Sequence, residues 1–360
     1  MIYIHVPFCH RKCTYCAFYS LGSQRQELMH SYAEALIGEI HRRHTEATHA
    51  IRTLYFGGGT PSILPLDEMA HIADTLRNTF DLTLLEEATI ECNPEDLTGE
   101  YLQGLRSTGL FNRISIGLQC LDDAGLRLLG RRHTADDALQ AVERCHALGF
   151  QNISVDLMYG LPIGVDGDIA RLKEVLPAVT HISAYALTVE PNTALARQVE
   201  MGRLSMPDDD EVARQYHTLN KRLQAWGFSQ YEVSNYARPG YQSRHNSRYW
   251  DRTPYLGLGP AAHSFDGRKR RWNVSDVREY IHEVSYEEET LTDNDAYNEL
   301  LMTSLRTTRG IALADIPPER RREFLPFERC GWLRQSDGRL VPSPEGLLHA
   351  DGMAASLFVK

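Results

Sequence analysis

YIHVPFCHRKCTYCAFYS, residues 3–20, sets Cys9, Cys13 and Cys16 in a C-x3-C-x2-C run. Thiolates in a compact run are the ligand pattern of iron–sulfur clusters. Three of them hold three corners of a four-iron cluster and leave one iron without a protein ligand. An open iron binds and activates a second molecule, whereas a site closed by four cysteines mainly carries electrons. Two other readings stay open on these residues alone. Free cysteine often serves as a small core hydrophobe. A zinc site wants four ligands, and His5 or His10 could complete a Cys3His set. Zinc knuckles, however, bring their ligands in two separated pairs, and the chain has no second C-x2-C.

Composition narrows the setting. The chain has 360 residues, 42% hydrophobic and 24% charged, with a formal net charge of −10. That is ordinary globular composition, long enough for one large domain or two smaller ones. No basic block marks a nucleic-acid surface, and the RKRR run at 268–271, beside Trp272, reads as a solvated hairpin tip. The N-terminus lacks the charged and apolar regions of a secretory signal. No stretch approaches the ~20 apolar residues of a membrane span. Seven cysteines, an odd number without framework spacing, suit a reducing compartment. The expectation is a cytoplasmic protein that binds no nucleic acid and is not integral to a membrane, any membrane-surface contact being transient.

Short β-rich apolar runs at residues 2–6, 53–56, 88–92, 113–117, 153–158 and 181–187 alternate with helical stretches. Residues 26–43 place Leu28, Tyr32, Leu36 and Ile40 four apart, an amphipathic stripe. Residues 134–148 do the same with Ala138, Val142 and Cys145. Repeated strand and helix means parallel strands with crossover helices. Six units are too few for a closed eight-fold barrel, so the expected fold is α/β, a partial, partly open (β/α)6 barrel. It occupies residues 1–200. Residues 201–285 form a connecting region, with a helix from about 208 through Trp226. Residues 286–360 read as a small mixed α+β, winged-helix-like domain, its wing turning at Asp337-Gly338.

Ligands of open parallel sheets lie beyond the carboxyl ends of the strands, where this chain has its polar oddities. Gly57-Gly58-Gly59-Thr60-Pro61 follows the second strand, and such glycines allow close backbone approach and expose N–H groups. Glu91 and Asn93 end the third strand, Gln119 the fourth, with Arg131 and Arg132 beyond it. Asp156 ends the fifth. Each alone suits a capping role. Successive strand ends with acid, amide, base and acid suit a ligand, since unpaired burial of such groups is costly.

The runs YIHVPFC, GGGTPS, IECNPE, NRISIGLQ, LGRRH, VDLMYGLP and LTVEPNT, in that order, resemble the radical S-adenosylmethionine (SAM) superfamily. Within it they resemble the group of anaerobic coproporphyrinogen III oxidases and related heme chaperones. The later runs RHNSRYW and YLGLGPAAHS extend the resemblance over nearly the whole chain. It implies a [4Fe–4S] cluster on Cys9, Cys13 and Cys16 with SAM on the fourth iron. It also implies SAM contacts from Tyr3, Gly59, Thr60, Glu91, Gln119, Arg131 and Asp156, with Gly58 facing a porphyrin.

Two departures favour the chaperones over the oxidases. Oxidases carry a fourth cysteine two residues after the third, where this chain has Phe18. They also carry a long extension before the cysteine run, which here starts at residue 3. A further departure, Ala17 where the chaperones often have Asp, has no consequence we can assign. The expected function is therefore heme binding and transfer to an acceptor hemoprotein, a respiratory-chain protein among the candidates. Oxidative decarboxylation of coproporphyrinogen III is the alternative. His245, Tyr249 and Trp250 match an H-N-x-x-Y-W motif associated with heme: imidazole can ligate heme iron, and Tyr and Trp offer flat faces. On the residues alone, core packing is the slightly better reading of the same segment, and the resemblance brings the two level. His263 is a second histidine candidate, with closure of the barrel bottom as its structural alternative.

Overall fold

In the computed structural model, which describes residues 1–22 and 25–359, six strands run parallel. They are β1 (Ile2–Val6), β2 (Thr53–Gly58), β3 (Glu87–Cys92), β4 (Arg113–Gln119), β5 (Asn152–Tyr159) and β6 (His181–Ala186), hydrogen-bonded in that order. The crossovers are α1 (Gln26–Arg43), α2 (Leu66–Thr79), α3 (Gly99–Ser107), the pair α4 (Asp123–Leu129) and α5 (Ala135–Ala147), and α6 (Asp166–Val175). The fold is the expected α/β one. Met29, Tyr32, Ala33, Leu36 and Ile40 form the buried stripe of α1. Thr134 and Asp137 close a capping box at the start of α5, satisfying donors the helix cannot. In β1, Ile2, Ile4 and Val6 are fully buried, while Tyr3 and His5 alternate to the other face.

Three strands extend the sheet beyond the expectation. β7 (Asn235–Ala237) runs antiparallel to β6, with Ser229–Gln230 outside it. β8 (Leu256–Leu258) lies parallel to β1 on its free side, pairing Tyr3 with Gly257. LGL is too short and too glycine-rich to read as a strand, since its hold comes from elsewhere. Fully buried Glu39 on α1 accepts from the Gly259 N–H at 2.8 Å, Asn273 at 2.7 Å and Tyr280 at 2.7 Å. Arg43 donates to Glu39 at 2.8 Å, to the Gly257 carbonyl at 2.8 Å and to Ser264 at 3.0 Å.

Next comes a three-stranded antiparallel sheet of β9 (His263–Phe265), β10 (Lys269–Asn273) and β11 (Tyr286–Thr290). It corrects the reading of RKRR as a hairpin tip. Lys269, Arg270 and Arg271 lie in the central strand, facing Thr290, Glu289 and Glu288. Lys269 pairs with Glu288 at 3.6 Å and Arg270 with Glu289 at 3.5 Å. Opposite charges across a ladder stabilise what a single strand would leave to solvent.

The main apolar core runs from Ile2 to Tyr280. A second one gathers Leu301, Leu305, Ile311, Phe324, Leu333, Leu340, Met353 and Leu357. Around it a small sheet pairs Ile311–Ala312 and Leu333–Ser336 with Arg339–Pro342. Among the described residues, no helix is long and apolar enough to cross a membrane.

Candidate functional site

The cysteine loop leaves β1 and is tied down on both sides. Phe8–Cys9 pairs with Leu21–Gly22. The Thr14 N–H donates to the Leu129 carbonyl at 3.0 Å, its hydroxyl to Leu128 at 2.8 Å, and its carbonyl accepts from Leu195 at 2.8 Å. The three cysteines are unbridged and partly exposed. Thr60 donates to Cys9 Sγ at 3.5 Å, and Arg131 Nη1 to Cys13 Sγ at 3.5 Å. His10 is held by Asp96 at 2.7 Å and His5 by the Tyr3 hydroxyl at 3.1 Å. Neither completes a zinc set, and among the described residues no three His, Cys, Asp or Glu side chains converge as ligands of a single ion.

Beneath the loop a cavity of about 720 Å³ opens over the carboxyl ends of the barrel strands. It brings together the three cysteines, Gly58, Gly59, Thr60, Glu91, Gln119, Arg131 and Asp156. Tyr3 is absent from this wall; its hydroxyl meets His5, and its ring lies 6.2 Å from Tyr55. Asn93, Ser115 and Tyr185 also line the cavity, at positions the sequence marked only as strand ends or not at all. Asn93 accepts from Arg131 at 2.7 Å and donates to Thr60 at 3.3 Å, joining two of the expected residues.

The carboxylates are held in unusual states. Burial pushes Glu91 up to about 7, against the Tyr55 hydroxyl at 2.6 Å and the Gly58 N–H at 3.2 Å. Burial also raises Asp156, despite hydrogen bonds from Ser183 and Ser115. Gln119 takes a left-handed φ of 66° at a bulge in β4, and its buried Oε1 has no hydrogen-bond partner among the described residues. Strained backbone with an unpaired buried acceptor is costly unless a ligand uses it.

The glycine loop corrects one expectation. Its N–H groups are not offered to a ligand: Gly58 donates to Glu91, Gly59 to the Val6 carbonyl at 2.7 Å, and Thr60 to the Phe8 carbonyl at 2.7 Å. A Cβ on Gly59 would sit 2.5 Å from the Phe8 carbonyl oxygen, so glycine here lets the cysteine loop lie on the barrel end. Gly58, at φ 109°, would bring a Cβ within 2.5 Å of the His5 ring. Gly58→Ala is expected to lose about 1–3 kcal/mol, read as a lower thermal midpoint.

The H-N-x-x-Y-W segment lies at the opposite end of the barrel. α9 (Arg244–Trp250) is capped by Ser243, and the Arg244 and His245 N–H groups both donate to Glu87 at 2.9 Å. Two helices, α7 (Ala194–Glu200) and α8 (Asp209–Ala225), precede it in the chain. His245 is fully buried, its ring nitrogens meeting Thr53 at 3.0 Å and Tyr249 at 3.2 Å. Burial and the charge of the N-terminus lower it to about 3. Arg306 approaches the Trp250 ring at 5.9 Å. This segment plugs the barrel bottom, the role weighed for His263, and is not brought to the cysteine cavity.

Three cysteines over a polar cavity at the carboxyl end of a parallel barrel define a radical SAM protein, and residues 3–176 match the Radical SAM superfamily. Residues 291–349 match the HemN C-terminal domain. The heme chaperone HemW of Mycobacterium tuberculosis H37Rv is 35% identical over 379 residues, covering 99% of this chain and 94% of that protein. The chain belongs to the HemW family. HemW of Bacillus subtilis is 33% identical, covering 86% of this chain and 84% of its own. Mouse radical S-adenosyl methionine domain-containing protein 1, mitochondrial, is 38% identical over 73% of this chain and 60% of its own. Among solved structures, coproporphyrinogen III oxidase (HemN) of Escherichia coli superposes with a TM-score of 0.84 at 22% identity, covering 99% of this chain and 89% of that one, a likeness of fold.

Membership of the radical SAM superfamily implies a [4Fe–4S] cluster and SAM. The donor set fits both. Three partly exposed thiols face one cavity, and the unpaired Gln119 oxygen and two buried carboxyls await a polar, cationic ligand.

Proposed function

We propose that this protein carries heme to acceptor hemoproteins, and that its cavity holds a [4Fe–4S] cluster on Cys9, Cys13 and Cys16 with SAM on the open iron. The observation that carries the reading is the full-length similarity to proteins named heme chaperones. Phe18 supports it: it stands at the cavity rim 71% exposed, where the oxidases resembled above have cysteine. Bound together, cluster and SAM supply one-electron chemistry. The chain's own part is positional. Thr60 and Arg131 donate to two of the sulfurs and Asn93 ties both donors together. Glu91, Asp156 and Gln119 form the polar floor that orients a sulfonium-bearing ligand.

Oxidative decarboxylation of coproporphyrinogen III is the second reading, and the completeness of this cavity favours it. Anaerobic heme titration of the cluster-reconstituted protein, run beside a coproporphyrinogen III conversion assay, separates the two. Stoichiometric heme uptake without conversion is expected. Conversion without heme uptake would overturn the carrier reading.

SAM binding is expected to depend on pH. Glu91 is protonated below about 7 and anionic above it. A cationic ligand gains an opposite charge only on the alkaline side, so affinity should rise by up to about tenfold from pH 6 to pH 8. Anaerobic calorimetry checks this, and Glu91→Gln should flatten the profile.

A further inference from the structure

We propose that Tyr55 is the residue that aims Glu91 into the cysteine cavity, and that α9, the helix of the H-N-x-x-Y-W segment, serves that cavity by seating the Tyr55 ring. The inference rests on the SAM reading above and adds two residues, Tyr55 and His245, that act on the site through Glu91. Neither is on the cavity wall, so their part is positioning.

Alternate residues of a strand point to one face of its sheet, so Thr53 and Tyr55 of β2 point together, as do Glu87 and Glu91 of β3. Across these neighbouring strands the Tyr55 hydroxyl donates to Glu91 Oε1 at 2.6 Å, and the Gly58 N–H donates to Oε2 at 3.2 Å. Both carboxylate oxygens are thereby fixed. Gly57 leaves room for the contact: a Cβ there would lie 2.8 Å from Tyr55 Cε1 and 3.1 Å from Glu91 Oε1. The first glycine of that run is explained by the pair beside it.

Two rings hold the Tyr55 ring. His245 lies 5.1 Å from it with planes 32° apart, and Tyr3 lies 6.2 Å away with planes 26° apart. His245 is fixed in turn by the same two strands. Its Nδ1 meets Thr53 Oγ1 at 3.0 Å, and its backbone N–H donates to Glu87 at 2.9 Å. Tyr249, one helical turn on, meets Nε2 at 3.2 Å. α9 therefore anchors on the strands that carry Tyr55 and Glu91. The fully buried histidine has both ring nitrogens engaged and one ring face of work to do, against Tyr55.

The electrostatics run the same way. Burial raises Glu91 to about 7, and the Tyr55 hydrogen bond is the strongest influence against that rise. The Gly58 N–H and Arg113 of β4 also lower it, while Asp156 of β5 raises it. The other titratable groups near Glu91 are the phenols of Tyr3, Tyr185 and Tyr249 and the Cys92 thiol, all raised by burial and neutral at pH 7. Burial also lifts Tyr55 well above the usual phenol range, so its hydroxyl stays a donor. Without that donor the Glu91 anion is less stabilised, and Glu91 ionises at higher pH.

The test measures SAM affinity across neutral pH by anaerobic calorimetry. It uses the cluster-reconstituted full chain and its Tyr55→Phe and His245→Ala variants, all at wild-type iron content. Tyr55→Phe should move the rise in affinity up by about one pH unit and weaken binding at pH 7 about threefold. His245→Ala should move the rise in the same direction by less, because the hydroxyl stays and only its seat is lost. A folding defect would lower affinity at every pH and leave the position of the rise unchanged. A wild-type profile in Tyr55→Phe, or lower affinity without a displaced rise, overturns the inference. A wild-type profile in His245→Ala beside a displaced one in Tyr55→Phe overturns the part given to α9. SAM binding with a flat wild-type profile overturns the inference and leaves the SAM reading standing. No SAM binding by the wild-type chain at any pH overturns the SAM reading and the inference with it.

Discussion

Cys13→Ala is expected to reduce the iron of the anaerobically reconstituted protein from about four per chain to well under one, since three thiolates are the whole protein ligand set of such a cluster. The loop itself should survive the change. Thr14 is pinned to Leu128, Leu129 and Leu195, and Phe8–Cys9 to Leu21–Gly22, without help from the Cys13 sulfur. Iron and sulfide analysis with electron paramagnetic resonance reads the result, and the SAM-induced spectral change should vanish too. Cys330→Ala is the control: that thiol is exposed, in the C-terminal part of the chain, and its loss should leave the iron unchanged. A full cluster in Cys13→Ala would mean that the ligands have been misassigned.

Glu39→Ala is expected to destabilise the chain by about 3–5 kcal/mol, the range for removing one partner of a buried ion pair. Arg43, 5% exposed, would lose its buried counter-charge and keep only the exposed Glu46, and the donors of Gly259, Asn273 and Tyr280 would lose their acceptor. The effect reaches further than one helix, because this carboxylate joins α1 to the turn after β8 and to β10. Glu39→Gln keeps one acceptor oxygen and should cost less. Urea unfolding at constant slope measures both. A midpoint for Glu39→Ala within error of wild type would remove the cluster's assigned role in holding the edge strand.

Much of the barrel was legible because its signals are local. The stripe of α1 ends at Gln26 and Arg43 as its apolar spacing requires, and six β-rich runs became six parallel strands, most lengthened by one or two residues. Legibility failed where a residue's role depends on a distant partner. Leu256–Leu258 is a strand because Glu39 and Arg43 hold it, and RKRR is a central strand because YEEET lies beside it. Tyr3 shares the conspicuous opening motif, yet the pleat of β1 turns it toward His5 and Tyr55 and away from the cysteine cavity wall.

By itself the sequence determined the cysteine spacing, the alternation of strand and helix, and the polar residues placed at strand ends, all set by short-range periodicity and by parallel-sheet geometry. Only the tertiary structure decided which of those groups share a cavity and which are taken up by packing. His245, in the more suggestive motif, is consumed by Thr53 and Tyr249 at the barrel bottom, and His263 is stacked on Trp272. The reason is physical: burial and hydrogen-bond satisfaction belong to the whole packed chain, and no window of residues contains them.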